Sequence, residues 1–228
     1  MAGRESFSRE LRRLQDEMLV LASMVDQAIG SAVEALRHLD VGEAQRVIRA
    51  DAEINAKRYA IEEMAVTTIA TQQPMATDLR TILAVLHIAV ELERMGDYAT
   101  GIAKIVLMHG EDELLKPLID VPRMTDLARG MLRRAIDAFV ARDAERARAI
   151  AREDDAIDGL YDQVYRELLT YMIQDPRTIN RATWLLWVAH NLERIADRVT
   201  NICERVVFLV TGRMEEINGG PQPLDRTS

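Results

Sequence analysis

From Leu11 to Leu39 the apolar residues recur in strict steps of three and four: Leu11, Leu14, Met18, Leu21, Val25, Ala28, Ala32, Ala35, Leu39. A half-buried strand needs a period of two, whereas this spacing is the seam of a long amphipathic helix packed side by side with others. Composition agrees. Ala, Leu, Val, Ile, Arg and Glu dominate, and the 11 Gly and 6 Pro of the 228 residues cluster between periodic stretches. The expected class is all-α, without a sandwich or a Rossmann-type sheet.

The breaks divide the chain. Asp40-Val41-Gly42 interrupts the first helix, since Asp and Gly favour turns. A second helix is expected from Glu43 to Thr71, ended by Gln72-Gln73-Pro74, because Pro cannot continue the ladder. A third, with Pro74 near its start, reaches His109 before Gly110. Residues 111–122, with two prolines, read as a linker. The cycle then repeats: a fourth helix over Met124–Ala141, a turn at Arg142-Asp143, a fifth over Ala144–Ile173 stopped by Asp175-Pro176, and a sixth over Arg177–Thr211. This predicts six long helices in two tandem, pseudo-symmetric three-helix bundles, residues 1–113 and 114–217. The Gly- and Pro-rich tail, 218–228, is expected to be disordered.

The halves also match in letters. Leu92-Glu93-Arg94-Met95-Gly96-Asp97 recurs as Leu192-Glu193-Arg194-Ile195-Ala196-Asp197, and Asp51-Ala-Glu-Ile-Asn55 as Asp154-Asp-Ala-Ile-Asp158. Internal duplication explains both. Each repeated motif carries acidic or amide residues four apart: Asp51 and Asn55, Glu93 and Asp97, Asp154 and Asp158, Glu193 and Asp197. Positions i and i+4 share a helix face, where like charges repel by about 0.2–0.5 kcal/mol. If the second and third helices form an antiparallel hairpin, residues equidistant from the turn lie level. Asp51 with Asp97, and Asn55 with Glu93, are equidistant from Pro74; Asp154 with Asp197, and Asp158 with Glu193, from the Asp175–Pro176 bond. Each hairpin thus brings four oxygen donors to one height, a plausible hard-cation site. Glu193, Asp197 and Asn201 flank the core stripe of the last helix, so the site should open to water. A solvated acidic face balanced by Arg194 and Arg198 fits the spacing equally; duplication and hairpin register favour a site.

A net charge of −8 counts against nucleic-acid binding. There is no signal-peptide pattern and no run of about 18 consecutive apolar residues, so neither secretion nor membrane insertion is expected. The single cysteine, Cys203, excludes an intrachain disulfide and reads as a buried helix residue. Trp184 and Trp187, three apart on one face, read as buried or as interface residues.

At these residues the chain resembles the PhoU family. The segments that carry the likeness are Gln73-Pro74-Met75-Ala76-Thr77-Asp78-Leu79-Arg80, Glu91 through Tyr98, Asn191 through Ile202, and Val206-Val207-Phe208-Leu209-Val210-Thr211-Gly212. The likeness spans Phe7 to Gly212. It implies a cytoplasmic negative regulator of phosphate uptake and of the phosphate regulon. Such a regulator is an adaptor between the ATPase subunit of the phosphate ABC transporter and a sensor histidine kinase, and is a homodimer. It also implies metal at the acidic pairs, iron, zinc or another divalent cation, and no enzymatic activity. The first half departs from the pattern: Asn55 stands where the second has Asp158, and Gly101 where it has Asn201, so the first site should be weaker. Two other classes remain open on the residues: a di-metal carboxylate enzyme, which lacks its Glu-x-x-His motifs here, and a plain helical scaffold.

Overall fold

The computed structural model describes residues 2–110 and 113–217, and the expected disorder of 218–228 lies outside them. Among the described residues seven α-helices follow one another: α1 Ala2–His38, α2 Val41–Gln72, α3 Ala76–His109, α4 Asp120–Ala141, α5 Ala144–Ala151, α6 Asp154–Gln174 and α7 Ile179–Thr211. A 3-10 turn, Pro176–Thr178, joins α6 to α7. Among the described residues there is no strand.

The repeat is visible in its turns. Leu39 and Arg142 both end their helices at positive φ, 50° and 53°. The next residues, Asp40 and Asp143, both cap the following helix, each accepting a backbone N–H at 2.9 Å from the residue three further on. The number 142 exceeds 39 by 103, as 154 exceeds 51, so the duplication fixes turn and helix together.

Two boundaries differ from expectation. Helix α4 begins at Asp120, so Pro122 lies in its first turn, where a missing N–H costs nothing. The expected fifth helix is interrupted at Arg152–Glu153. Glu153 accepts two 2.6 Å hydrogen bonds from Arg134 of α4. In the first half the equivalent residues are Ala50 and Ser31, with nothing to pin, and α2 runs through. The break places Asp154 and Asp155 in the first turn of α6, where the helix dipole favours anions.

Most of the seam predicted in α1 is core: Leu14, Met18, Leu21 and Val25 are fully buried, each worth about 1.5–3 kcal/mol on burial, while Leu11 and Leu39 at its ends are half-buried. By composition alone the Glu5–His38 stretch is apolar enough to cross a membrane; in this fold its apolar face is spent inside. The cores of the two halves are continuous, and α3 packs on α7 as extensively as on α1.

Contacts between the halves are reciprocal. Glu91 of α3 accepts hydrogen bonds from Asn201 (3.1 Å) and Arg198 (3.3 Å) of α7. Their mates, Asn191 and Gly101, meet in the same way: a Cβ on Gly101 would lie 3.2 Å from the Asn191 amide. On the flanking pair, Asp26 of α1 takes 2.9 Å hydrogen bonds from Arg129 and Arg133 of α4. Positions 26 and 129 differ by 103, so Asp26 and Arg129 are the same position in the two repeats. Such reciprocity is the signature of a twofold axis between the halves.

Candidate functional site

The helix phase puts the eight paired residues, and Asn201, beside the core stripe. Asp154 is buried; Asp51, Asn55, Glu93, Glu193, Asp197 and Asn201 are half-buried; Asp97 and Asp158 are exposed. The hairpin register holds. Burial pushes the Glu93 carboxyl above its ordinary range, followed by the charge of Asp97, and Asp51 also reaches it. Asp97 is raised by burial and then by Asp51. In the second half burial and then Asp197 raise both Asp158 and Glu193, and Glu193 feels Asp158 and Asp154 as well. Each hairpin has therefore gathered mutually repelling carboxylates.

The two gatherings are satisfied differently. In the first, Asn55 Nδ2 donates to Asp51 Oδ2 and Thr100 Oγ1 to Asp51 Oδ1, both at 3.2 Å. Arg58 Nε lies 3.9 Å from Glu93 Oε1. Asp51 and Glu93 thus find protein partners, although Asn55 Oδ1 is buried without a hydrogen bond. In the second, Asp158 has no amide to donate, and Tyr161 replaces Arg58. The Thr200 hydroxyl, mate of Thr100, is 5% exposed and has no hydrogen-bond partner. Glu193 Oε2 is buried without a hydrogen bond, with His190 Nδ1 at 3.5 Å and Arg194 Nε at 3.4 Å. Arg194 also donates to Asp197 at 2.8 Å. Burial, and then the charge of Arg194, keep His190 below its ordinary value.

Asp154, Asp197 and Asn201 line one cleft of ≈ 520 Å³, joined by Glu204 of α7 and by Glu215 and Glu216 beyond it. Among the described residues no three His, Cys, Asp or Glu side chains already stand together as a metal-holding group. By donor type alone, all oxygen and unevenly satisfied, the set is of the kind a hard cation takes. A cation at Asp197 would have to displace Arg194.

Several participants escaped the sequence reading. Arg194 sat inside the repeated motif and read as a compensating charge, whereas Glu91, just outside it, and Thr200 were given no role of their own. Glu215 lies where periodicity has ended. Asn201, expected as a ligand, turns its amide to Glu91 across the halves while lining the cleft. Of the tryptophans, Trp184 packs edge-on to His109 (4.9 Å between centroids), but Trp187 is 47% exposed. Cys203 is fully buried, and burial drives its thiol up to about 12, which removes it as a nucleophile.

Comparison with known proteins agrees with this architecture. The PhoU domain family matches twice, over residues 18–106 and 121–206, one match per repeat. The chain is 38% identical over 209 residues to the phosphate-specific transport system accessory protein PhoU homolog of Pseudomonas putida, covering 91% of this chain and 82% of that one. It is also 38% identical to the homolog of the same name in Caulobacter vibrioides (strain NA1000 / CB15N), covering 97% and 96%. The crystal structure of PhoU from Pseudomonas aeruginosa superposes with a TM-score of 0.86 at 36% identity, covering 91% of this chain and 100% of that one. The phosphate transport system regulatory protein PhoU from Streptococcus pneumoniae gives 0.85 at 34%, covering 92% and 99%. These relatives are named as accessory and regulatory proteins, not as enzymes. With both repeats matched and the fold shared along nearly its whole length, the chain belongs to the PhoU domain family.

Proposed function

We propose that this protein is a cytoplasmic negative regulator of phosphate uptake and of the phosphate regulon. It acts as an adaptor between the ATPase subunit of a phosphate ABC transporter and a sensor histidine kinase, and works as a homodimer. The observation that carries this reading is likeness across 91–97% of the chain to accessory proteins of the phosphate-specific transport system. A helical bundle with extended outer faces suits a protein that works by docking. Co-purification from membranes is the test. The tagged chain should retain the transporter ATPase and the kinase, and deletion of its gene should raise expression of a phosphate-starvation reporter in high phosphate. Retention of neither partner, with unchanged reporter output, would refute the adaptor role.

Within this role the acidic clusters bind divalent cations, the second more tightly. Asp154, Asp158, Glu193 and Asp197 hold the ion in the second half; Asp51, Asn55, Glu93 and Asp97 form the weaker counterpart. A bound cation, iron, zinc or another divalent ion, supplies charge neutralisation and a cross-link between the two helices of a hairpin. The residues place that charge, and Arg194 substitutes for it at Asp197. Metal titration into Asp154→Ala and Asp51→Ala variants distinguishes the halves: the first should lose the tighter phase and the second the weaker, and equal losses would refute the inequality.

A further inference from the structure

The two repeats differ on the outer side of their first helical hairpin. In the second half two ion pairs cross that side. Arg134 of α4 donates to Glu153 at 2.6 Å, and Lys116, just before α4, meets Glu167 of α6. Each of these four positions exceeds its mate in the first half by 103: the mates are Ser31 and Ala50 for one pair, Arg13 and Met64 for the other. Neither combination can form a salt bridge, and the space stays open at both places. A cleft of ≈ 400 Å³ lies beside Ser31 and Ala50, and one of ≈ 570 Å³ beside Arg13 and Met64.

The banks between and around these clefts are regular. Helix α1 contributes Arg13, Glu17, Val20, Met24, Gln27 and Ser31, and α2 contributes Ala50, Glu53, Lys57, Ala60, Met64 and Thr67. Both sets run in alternating steps of three and four, the spacing that packed helices present to a further helix in a bundle. The core stripes, with Leu14 and Val25 on α1 and Ile54 and Ala65 on α2, lie on other faces, as do Asp51 and Asn55 of the first acidic cluster. From Arg13 to Ser31 the groove runs about 27 Å, or about five helical turns. Its middle is shallow and apolar: Val20 is 47% exposed, Ala60 is exposed, and Met24 and Met64 are half-buried. Lys57 crosses it there to Glu17 at 2.7 Å. Its charge is one-sided. Glu10 and Glu63 line one cleft and Glu43 and Glu53 the other, against Arg13 and Arg46. Glu43 already holds Arg46, whereas Glu53 and Glu63 have no ion pair among the described residues. The second half fills the same two places from within, each time with a basic side chain reaching a carboxylate.

We propose that the α1–α2 groove of the first half docks a basic amphipathic α-helix of a partner protein. The helix is about five turns long. Its apolar stripe lies over Val20, Met24 and Met64, and its Lys or Arg side chains reach Glu53 and Glu63, as Arg134 and Lys116 reach their carboxylates in the second half. Ala50 and Ala60 let its backbone approach closely, and the two methionines adapt to the side chains it brings. This rests on the adaptor reading given above and gives that role a surface.

The test uses the full chain and two double variants. Ser31→Arg with Ala50→Glu installs the second half's own ion pair and closes one cleft without changing net charge. Glu53→Lys with Glu63→Lys reverses the charge at two exposed positions and leaves the core untouched. Each form, checked for a native melting curve by circular dichroism, is used to retain the detergent-solubilised transporter ATPase and sensor kinase. A photo-cross-linker at Ala60 of the otherwise native chain then marks the segment that covers the groove, which mass spectrometry identifies. One of the two partners should be joined through an amphipathic segment rich in Lys and Arg, and its retention should fall about tenfold in each variant, the scale of losing a well-packed anchor. If both variants retain both partners as the native chain does, or if the cross-link joins a second copy of this chain, an acidic segment or nothing, the groove is refuted and the adaptor reading stands. If the native chain retains neither partner, both fail.

Discussion

Replacing Asn55 by Asp gives the first cluster the composition of the second. In the native chain Asn55 Nδ2 donates to Asp51 at 3.2 Å, closing a small network with Thr100. The substitution removes that hydrogen bond, worth about 0.5–1.5 kcal/mol. It also adds like-charge repulsion toward Asp51, about 0.2–0.5 kcal/mol, and a comparable contribution toward Glu93 across the hairpin. At neutral pH and without divalent cations the loss should be roughly 1–2.5 kcal/mol. In a chain of this size each kcal/mol moves Tm by about 2–4 °C, so a fall of roughly 2–10 °C is expected by circular dichroism in EDTA. A cation at a hundred times its Kd returns about 2.7 kcal/mol. Mn2+ should therefore raise the Tm of Asn55→Asp by more than that of the native chain, closing most of the gap. An unchanged Tm in EDTA, or equal rises with Mn2+, would refute the view that internal hydrogen bonding keeps the first cluster weak.

Charge reversal between the halves is testable by a swap. Asp26→Arg sets a third guanidinium against Arg129 and Arg133 and should cost about 2 kcal/mol or more in urea unfolding, whereas Asp26→Arg with Arg129→Asp should recover part of it. The acidic clusters set a pH dependence. Glu93, Asp97, Asp158 and Glu193 are all held above their ordinary values in the fold. Their contribution is therefore fully present below the unfolded carboxylate range and is lost as pH rises through the raised folded values. The metal-free protein should gain stability from these four as pH falls from 7 toward about 5, and Glu193→Gln should flatten that gain; Asp26, held low by its arginines, works in the opposite sense. Urea midpoints across that range decide it. Finally, Glu153→Ala removes the anchor on Arg134 and installs the residue that Ala50 is in the first half. Amide exchange at Arg152–Asp155 should slow as α5 and α6 join, with net stability within about 1 kcal/mol of native.

What was legible in the sequence is what local chemistry decides. The three-four spacing marked the buried stripe of α1, Gln73-Pro74 and Asp175-Pro176 marked the hairpin turns, and the register of Asp51 with Asp97 and of Asp158 with Glu193 followed from them. The break at Arg152–Glu153 was not legible, because it depends on Arg134, nearly twenty positions earlier on another helix. Nor was the start of α4, since a proline reads as a stop although the first turn of a helix tolerates it. Asn201 looked like a ligand by repeat logic, but its amide partner, Glu91, belongs to the other half. The segment Arg213–Ile217 is irregular chain, held by Arg148 and Glu204 through contacts without periodicity.

The twofold relation explains why the copies had to diverge. A residue on such an axis meets its own mate, so an unaltered repeat would set Asp against Asp, or Arg against Arg, at positions 26 and 129. Separate encoding of the halves allows Asp26 and Arg129 to become complementary, which no symmetric pair of identical chains can do at that position. The same freedom acts at the clusters. Asn55 and Arg58 give the first half an internal donor and an internal cation, while Asp158 and Tyr161 withhold both from the second. Arg134 and Glu153 then open the helix at Asp154, and Glu215 and Glu216 line the cleft beside it. The second cluster is left with Arg194 as its nearby guanidinium, at 2.8 Å from Asp197 and 3.4 Å from Glu193. If the second cluster binds a cation as proposed, one copy holds its shape without the ion while the other responds to it, and the continuous core of α3 and α7 joins them.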